Sequence, residues 1–420
     1  MKRVLLIAYA FPPEPLPGSQ RPGYLARYLP RFGWQATVLT PARVDRPPFE
    51  VEIAHTGSAH AALERVGNAL PAGGALRATL RTIKDALIFP DPLAGWIPPA
   101  ISTGLRVLRS SRYDAVFSTA LPTSAHVIGA TLSRIAGVPW LADYRDLWSG
   151  NPYMPWGPIK RRLESAAERY IMRRAAQLTT VSDVLAQQLR SLHDKPVTVI
   201  GNAYDEAEWA GVPEITPTAF DLVYAGTLYG GKRSPDLLFR ALSRLKERGH
   251  PAASARIHFY GDDNTAALDR ARTFGLESQV HVHGVVPRAE ALRMQRASAA
   301  VLIFLSMDPA TVNEQGSKYL EYLGARRPML VFGPKGSVMR ETLDALNAGF
   351  FVCDVVDAER ALCSLYQQFT RGEYAIAADL QAVQTSEQLA SRFATCLDEI
   401  STFGVRGNRA AAKQTFYKAG

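Results

Sequence analysis

The sequence predicts an α/β protein built from two Rossmann-like, doubly wound domains facing an interdomain cleft, and three observations predict it. The segment Val4 to Ala10 is a continuous apolar run, the pattern of a strand covered on both faces, as in a parallel sheet. It passes through a Pro/Gly-rich loop, Phe11 to Gly18, into Tyr24, Leu25, Tyr28, Leu29 and Phe32 at helical spacing, then into a second strand, Trp34 to Leu39. Strand, loop, helix, strand is the repeating unit of a doubly wound sheet. The rhythm then breaks over Gly201 to Thr218, where Gly, Pro, Asn and Thr replace periodicity, and starts afresh on the far side of what reads as a linker.

Within the first half, Arg46 to Ile101 is rich in Pro, Gly and Ala and offers one helix, around Leu76 to Leu87; a variable insertion near the cleft is expected there. Strands follow at Ala115–Ser118, Trp140–Asp143, Leu178–Val181 and Val197–Ile200. Helices at Thr123–Ala136 and Ile159–Ala175, and a short one capped by Ser182, alternate with them. The second half places strands at Leu222–Ala225, Arg256–Tyr260, Val280–His283, Ala300–Leu305, Met329–Phe332 and Phe350–Cys353. Its helices fall at Pro235–Leu245, up to Phe274, at Ala289–Ala297 and at Lys318–Gly324, with one more before the last strand. A final helix, about Ser386 to Ile400, carries Leu389, Phe393, Cys396 and Leu397 on one face and follows the completed second sheet.

The bulk properties narrow the function classes. The 420 residues are 47% hydrophobic and 21% charged, with no long low-complexity tract, so the chain is globular rather than disordered. A net charge of +9 suits an anionic partner such as a nucleotide, a lipid diphosphate or an acidic membrane face. Nucleic acid is not the expected partner, since no arginine-rich run with interleaved aromatics and no zinc-finger spacing occurs. The three cysteines, Cys353, Cys363 and Cys396, form no Cys-x-x-Cys pair, which fits a reducing cytosol and no structural zinc. The opening MKRVLLIAYAF meets Phe11-Pro12-Pro13 without a small-residue cleavage site and reads as a first strand, not a leader.

Several loops carry candidate chemistry. In Asn313-Glu-Gln-Gly-Ser-Lys-Tyr-Leu-Glu321, the amides near Gly316 and Ser317 open a helix, and a helix N-terminus binds anions. Lys318 in the first turn opposes the helix dipole by about 0.3–1 kcal/mol, which an anionic ligand offsets; Glu321, one turn on, suits two ribose hydroxyls. Ordinary capping by Ser317 fits less well, because a capping box wants its acid three residues later and here the gap is four. The stretch Gly226-Thr-Leu-Tyr-Gly-Gly-Lys-Arg-Ser234 nearly matches a phosphate-binding loop, but Arg233 stands where the magnesium-binding hydroxyl belongs. Its glycines admit a diphosphate to the backbone, and Lys232 or Arg233 neutralises it; a solvated surface turn is the equal alternative. Gly18 and Ser19 start the first helix and suit an anion or a sugar oxygen. Asp143-Tyr-Arg-Asp-Leu-Trp148 ends a strand on the crevice side, so Asp143, Arg145 and Asp146 are candidates, slightly favoured over a local ion-pair network. His126 reads as a partly buried structural histidine, His281 and His283 as strand residues without a third ligand, and Asp262-Asp263 as helix capping. The helix Ile159 to Arg174 is basic and amphipathic; contact with an anionic membrane and a solvated helix in which Glu164 and Glu168 interrupt the cations are equally good readings.

Taken together, Phe11-Pro-Pro through Arg21, Phe89-Pro-Asp-Pro-Leu-Ala-Gly-Trp96, Asp143 through Trp148 and Lys318-Tyr-Leu-Glu-Tyr-Leu323 resemble the family 4 glycosyltransferases of the GT-B fold, most closely a bacterial surface-polysaccharide subgroup. The resemblance spans nearly the whole chain. It implies an acceptor-binding domain over 1–203, a nucleotide-sugar-binding domain over 204–380, and over 381–420 a helix packing back on the first domain plus a basic tail. It implies a metal-independent, cytoplasmic, retaining hexosyl- or related transferase with no cofactor, using a nucleotide-sugar donor and a glycan or lipid-linked acceptor, with peripheral contact to an anionic inner membrane. Glu321 would hold the ribose, Gly316 to Lys318 with Arg233 and Lys232 the diphosphate, and Gly284 and Val285 the base. Gly18, Ser19 and Gly226 complete the donor residues, and Glu314, Asp146 and Arg145 are the expected catalytic ones. The chain departs from the family at Asn313, where counting back from Glu321 places the first of two paired glutamates, and at Thr227, where an arginine is usual. A nucleotide-sugar epimerase on the same fold and a non-catalytic sugar-binding relative are the alternatives.

Overall fold

Runs that are apolar on both faces become central strands, and in the computed structural model Val4 to Ile7 are fully buried. The structure describes residues 1–14, 18–42, 44, 47–57, 89–151, 154, 156–262, 264–312, 316–376, 378, 380 and 383–416; the helix expected at 76–87 lies outside them. The chain divides into two units, Met1–Asn202 with Ser386–Gly420, and Ala203–Thr385.

In the first unit, β1 (Lys2–Ile7), β2 (Trp34–Thr40), β3 (Glu52–His55), β4 (Ala115–Ala120), β5 (Trp140–Tyr144), β6 (Gln177–Thr180) and β7 (Val197–Val199) form one parallel sheet. Its order, β3-β2-β1-β4-β5-β6-β7, is the Rossmann order with one strand added. Helices α1 (Gln20–Tyr28), α2 (Ile97–Ser110), α3 (Ser124–Ala136), α4 (Pro158–Met172) and α5 (Asp183–Leu192) connect them. The expected irregular stretch 46–101 contains β3 and the start of α2. Sequence pattern missed β3 because an edge strand of four residues, none fully buried, has no apolar run to show.

The second unit repeats the scheme with β8 (Asp221–Ala225), β9 (Arg256–Tyr260), β10 (Val280–Gly284), β11 (Ala300–Phe304), β12 (Met329–Phe332) and β13 (Gly349–Val352), in the order β10-β9-β8-β11-β12-β13. Its helices are α6 (Glu206–Trp209), α7 (Asp236–Glu247), α8 (Ala266–Thr273), α9 (Arg288–Ala297), α10 (Lys318–Ala325), α11 (Val338–Ala345) and α12 (Val355–Thr370). The last helix, α13 (Ser386–Phe416), is twice the expected length and belongs to the first unit. It buries Leu389, Phe393, Cys396 and Leu397, and Phe393 meets Phe117 of β4 edge-on at 5.3 Å between centroids.

The motifs of the first unit spend their polar atoms on its interior. Asp91 is buried and receives hydrogen bonds from Leu93 N, Thr123 Oγ1, Ser124 N and Ser124 Oγ at 2.6–2.9 Å. It thereby caps the start of α3 from 33 residues away. Asp143, at the end of β5, is fully buried and accepts Arg21 Nε and Nη2 at 2.9 Å each, Thr119 Oγ1 at 2.8 Å and Thr179 Oγ1 at 2.8 Å. Arg21 also donates to the carbonyls of Ile200 and Gly201 and lies over the Phe393 ring. Asp143 is therefore the partner of a buried cross-link, the ion-pair alternative rather than the functional one.

Burial alone raises the Asp143 pKa, but Arg21, then Thr179 and Thr119, outweigh it and hold the carboxyl below its ordinary value. A depressed carboxylate contributes stability that is complete above the ordinary pKa and is lost as pH falls through the folded value. Asp143→Ala leaves a buried guanidinium unpaired and is expected to cost about 3–5 kcal/mol. Urea denaturation at neutral pH checks the loss, and the same measurement below pH 4 is expected to show a smaller gap between variant and wild type.

Candidate active site

The second sheet reverses direction between β8 and β11: β9 and β10 stand on one side of β8, and β11 to β13 on the other. In open α/β sheets the crevice at the carboxyl ends of the strands flanking such a reversal is where ligands bind. Gly226 directly follows β8, and the loop after β11 ends in α10. Lys318, the first residue of α10, donates from Nζ to the Ala225 carbonyl at 2.5 Å. Tyr322, one turn on, accepts the Ala225 amide at 2.9 Å. Gly226 leaves room for this approach: a Cβ there would lie 2.4 Å from both Cε and Nζ of Lys318 and push the ammonium aside. Burial pushes the Lys318 ammonium down to about 8; Glu321 opposes the shift, while Arg233 and Arg288 add to it.

Glu321 is held from two sides. Arg288 Nη1 donates to its Oε2 at 2.6 Å and Gln295 Nε2 to its Oε1 at 2.5 Å. The other arm of Arg288, Nη2, donates to Glu208 of α6 at 2.7 Å. Burial raises the Glu321 pKa, but Arg288 foremost, then Lys318, hold the carboxyl below its ordinary range. Arg288 is itself stabilised as a cation: burial opposes its charge, and Glu321 and Glu208 more than restore it. The carboxylate thus stays ionised with each oxygen carrying one donor, and a carboxylate oxygen can accept a second.

The turn after β8 is built on left-handed backbone at Tyr229, Gly230 and Gly231 (φ 53°, 61° and 88°). It brings Arg233 over the Tyr229 ring at 4.7 Å and leaves Lys232 exposed. Neighbouring strand ends also run into glycine. The amide of Gly226 donates to Tyr260 O and that of Gly261 to Gly284 O, both at 2.7 Å, while Val285 is exposed just beyond. Gly316 (φ 65°) and Ser317 precede α10 and are exposed, and Ser317 makes no side-chain cap. The structure therefore gathers Gly226, Lys318, Glu321 and Arg233 around one switch point, with Gly284 and Val285 two strands along the same edge. Glu314 and its neighbour Asn313 lie outside the described residues.

The first unit reverses between β1 and β4. Arg145 donates from Nε to Ala120 O at 2.6 Å and from Nη2 to Leu121 O at 2.8 Å, at the end of β4. Gly18, after β1, packs so tightly on this guanidinium that a Cβ would lie 2.9 Å from Nη1. Ser19 is buried beside it. Asp146 is solvent-accessible, though crowding by the surrounding chain raises its pKa against the pull of Arg145. His126 is fully buried rather than partly so: Nδ1 pairs with Ser118 Oγ at 2.8 Å, and burial lowers its pKa to about 4 against the nearby acids. His281 and His283 stack with His258 at 5.0 and 5.3 Å, and among the described residues no group of three such side chains is placed to hold a metal ion.

Sequence reasoning missed Arg288, Gln295, Glu208 and Tyr322. Arg288 had a usable signal, a cation four residues past the strand-ending Gly284; Glu208 had none, because only the tertiary fold brings α6 to α10.

Residues 23–208 match Glycosyltransferase Family 4 and residues 219–368 match Glycosyl transferases group 1. The chain belongs to the glycosyltransferases of the GT-B fold. No curated protein matches it in sequence. Among solved structures it is similar to HepE of Anabaena in complex with UDP and glucose, at 14% identity and a TM-score of 0.57, over 98% of this chain and 100% of that one. It is also similar to WaaG, a glycosyltransferase involved in lipopolysaccharide biosynthesis (13%, 0.55, 95% and 97%). A third likeness is to a putative UDP-N-acetylglucosamine 2-epimerase from Listeria monocytogenes (13%, 0.55, 94% and 95%). At such identities the structures show the shared fold, and the two family matches carry the assignment. Among the described residues no helix is long and apolar enough to cross a membrane.

Arg288→Ala is expected to leave Glu208 and Glu321 facing each other without their shared cation and to destabilise the second unit by about 1–3 kcal/mol. Chemical denaturation checks this, and Glu208→Gln, which keeps an acceptor for Arg288, is expected to cost less.

Proposed function

We propose that this glycosyltransferase moves a sugar from a nucleotide-sugar donor to an acceptor hydroxyl with retention of anomeric configuration, and that the acceptor is a lipid-linked glycan of surface-polysaccharide synthesis. The observation that supports the donor half is the convergence of Lys318, Arg233 and Gly226 at the switch point of the second sheet. There the glycine lets a diphosphate approach the backbone, and two cations meet the charge that develops on it as the sugar leaves. Lys318 now spends its ammonium on a carbonyl; a phosphate oxygen in that place is the stronger acceptor. Glu321, ionised and aimed by Arg288 and Gln295, suits a ribose diol. Gly284 and Val285 suit the base, and Gly316, Ser317 and Lys232 further phosphate contacts. In this scheme the leaving-group charge is met by side chains and amides, without a metal or cofactor. Glu314, Asp146 and Arg145 are assigned to the sugar and acceptor side. HepE is seen with UDP and with UDP-glucose, so a uridine diphosphate sugar is the first donor to test.

Lys318→Ala and Arg233→Ala are expected to lower donor turnover at least about tenfold each, the size of one lost charge-assisted hydrogen bond, with unchanged thermal melting. Full activity in both removes the diphosphate assignment. Because only the protonated ammonium attracts phosphate, nucleoside-diphosphate affinity is expected to weaken as pH rises through about 8, and Lys318→Arg is expected to abolish that dependence. Calorimetric titration between pH 7 and 9.5 reads both. Proton NMR of the product is expected to show the donor's anomeric configuration, and inversion contradicts the retaining mechanism. Release of nucleoside diphosphate that needs no acceptor points to the epimerase alternative instead.

A further inference from the structure

From Ala225 to Thr227, where the chain leaves β8, every backbone polar group but one is held. Ala225 faces α10: its N–H donates to Tyr322 OH at 2.9 Å, and its carbonyl accepts Lys318 Nζ at 2.5 Å. Gly226 faces the other way, towards β9. Its N–H donates to Tyr260 O at 2.7 Å, and its carbonyl accepts Nδ2 of Asn264 at 2.7 Å. The Thr227 carbonyl accepts Tyr224 OH at 2.8 Å. Only the N–H of Thr227 has no acceptor among the described residues.

The peptide decides where that N–H points. A trans peptide is planar, with its C=O and N–H on opposite sides. Gly226 O is drawn to the β9 side, so Thr227 N–H is turned to the α10 side, where the Lys318 ammonium lies 5.8 Å from the centre of the Tyr224 ring. Two neighbours hold the carbonyl in place. Gly261 has a φ of 123°, and a Cβ on it would lie 2.6 Å from Gly226 O. Asn264, only 1% exposed, supplies the side-chain donor. Its own Oδ1 is buried without a partner, which is unfavourable in an interior. Nor does this side chain cap α8: it is the backbone carbonyl of Asn264 that accepts Ala267 N. Neither its own hydrogen bonding nor helix capping accounts for an asparagine here. What it provides is the direction of one peptide.

We propose that Asn264 is a positioning residue for donor binding: it fixes the peptide between Gly226 and Thr227 so that the Thr227 N–H stands on the Lys318 side as a donor to the diphosphate. The inference rests on the diphosphate reading given above. Lys318 must leave the Ala225 carbonyl to meet a phosphate. The Thr227 N–H gives up no protein hydrogen bond and needs no turning, which is the advantage of a donor oriented before its ligand arrives.

The test is calorimetric titration of the full chain with UDP, and with GDP, ADP and dTDP in turn. It is joined to NMR of the chain carrying isotopically labelled threonine, in which Thr227→Ser identifies the Thr227 amide resonance. Asn264→Leu nearly keeps the size of the side chain and removes the donor. It is expected to melt like the wild type and to weaken nucleoside-diphosphate binding about tenfold, the size of one lost charge-assisted hydrogen bond. The Thr227 amide of the wild type is expected to shift downfield when the diphosphate binds, and that of Asn264→Leu to shift less. Wild-type affinity in Asn264→Leu, or a Thr227 amide that a bound diphosphate leaves unmoved, overturns the proposal. If Lys318→Ala loses binding in the same experiment, the diphosphate reading stands without it. Failure of the wild type to bind any of these diphosphates overturns the proposal and that reading together. Should Asn264→Leu melt early, the wild-type Thr227 resonance decides by itself: a shift supports the proposal, and no shift overturns it.

Discussion

A guanidinium buried against carboxylate and carbonyl oxygens is the constraint on which the first unit depends. Arg21 leaves α1, pairs with Asp143 at the end of β5, and takes the carbonyls of Ile200 and Gly201 where the first run of the chain ends. Phe393 of α13 closes over it, so one side chain joins segments spread across most of the sequence. The pair is tolerable in the interior only because every carboxylate oxygen is doubly satisfied, by Arg21 together with Thr119 or Thr179; a half-satisfied version would cost more than an apolar core. The second unit uses the same device nearer the surface, where Arg288 joins α6, α9 and α10 through Glu208 and Glu321.

These cross-links decide what each switch point can offer. In the second unit Glu321 is aimed by Arg288 and Gln295 and kept ionised chiefly by Arg288 and Lys318, while Lys318 rests on a carbonyl with its pKa lowered by burial and by two other cations. A cation held under like charge gains most when an anion arrives, and in the proposed function that anion is the departing diphosphate. In the first unit the equivalent place is taken by Arg145, satisfied by the carbonyls that end β4 and packed against a glycine. Two glycines, Gly226 and Gly18, serve one purpose in the two halves: each lets the end of a long cationic side chain lie where a methyl group would push it aside.

Much of the fold was legible in the sequence because parallel strands must be apolar on both faces and so announce themselves. The edge strand β3 and the length of α13 were not legible, since neither depends on a continuous apolar run. The donor-side candidates were legible as loop chemistry: a lysine placed against the helix dipole, glycines before a pair of cations, an acid one turn into a helix. Their supporting residues were less so. Glu208 and Gln295 look like ordinary solvated side chains, and Asp143, which looked functional at a strand end, is the buried partner of Arg21.

The sequence by itself determined the two successive α/β repeats, the break between them, and which loops fall at strand ends, because hydrophobic period and turn chemistry are local properties. Only the tertiary structure decided where the charges of those segments point. The helix α4 shows the difference: its composition reads as mixed charge, yet the glutamates turn inward to Trp148, Tyr144 and Ser149, Arg161 turns inward to backbone carbonyls, and Arg162 and Arg169 are exposed. The direction of a charge follows from what packs against the helix, and partners 16 to 24 residues away leave no trace in the periodicity of the helix itself.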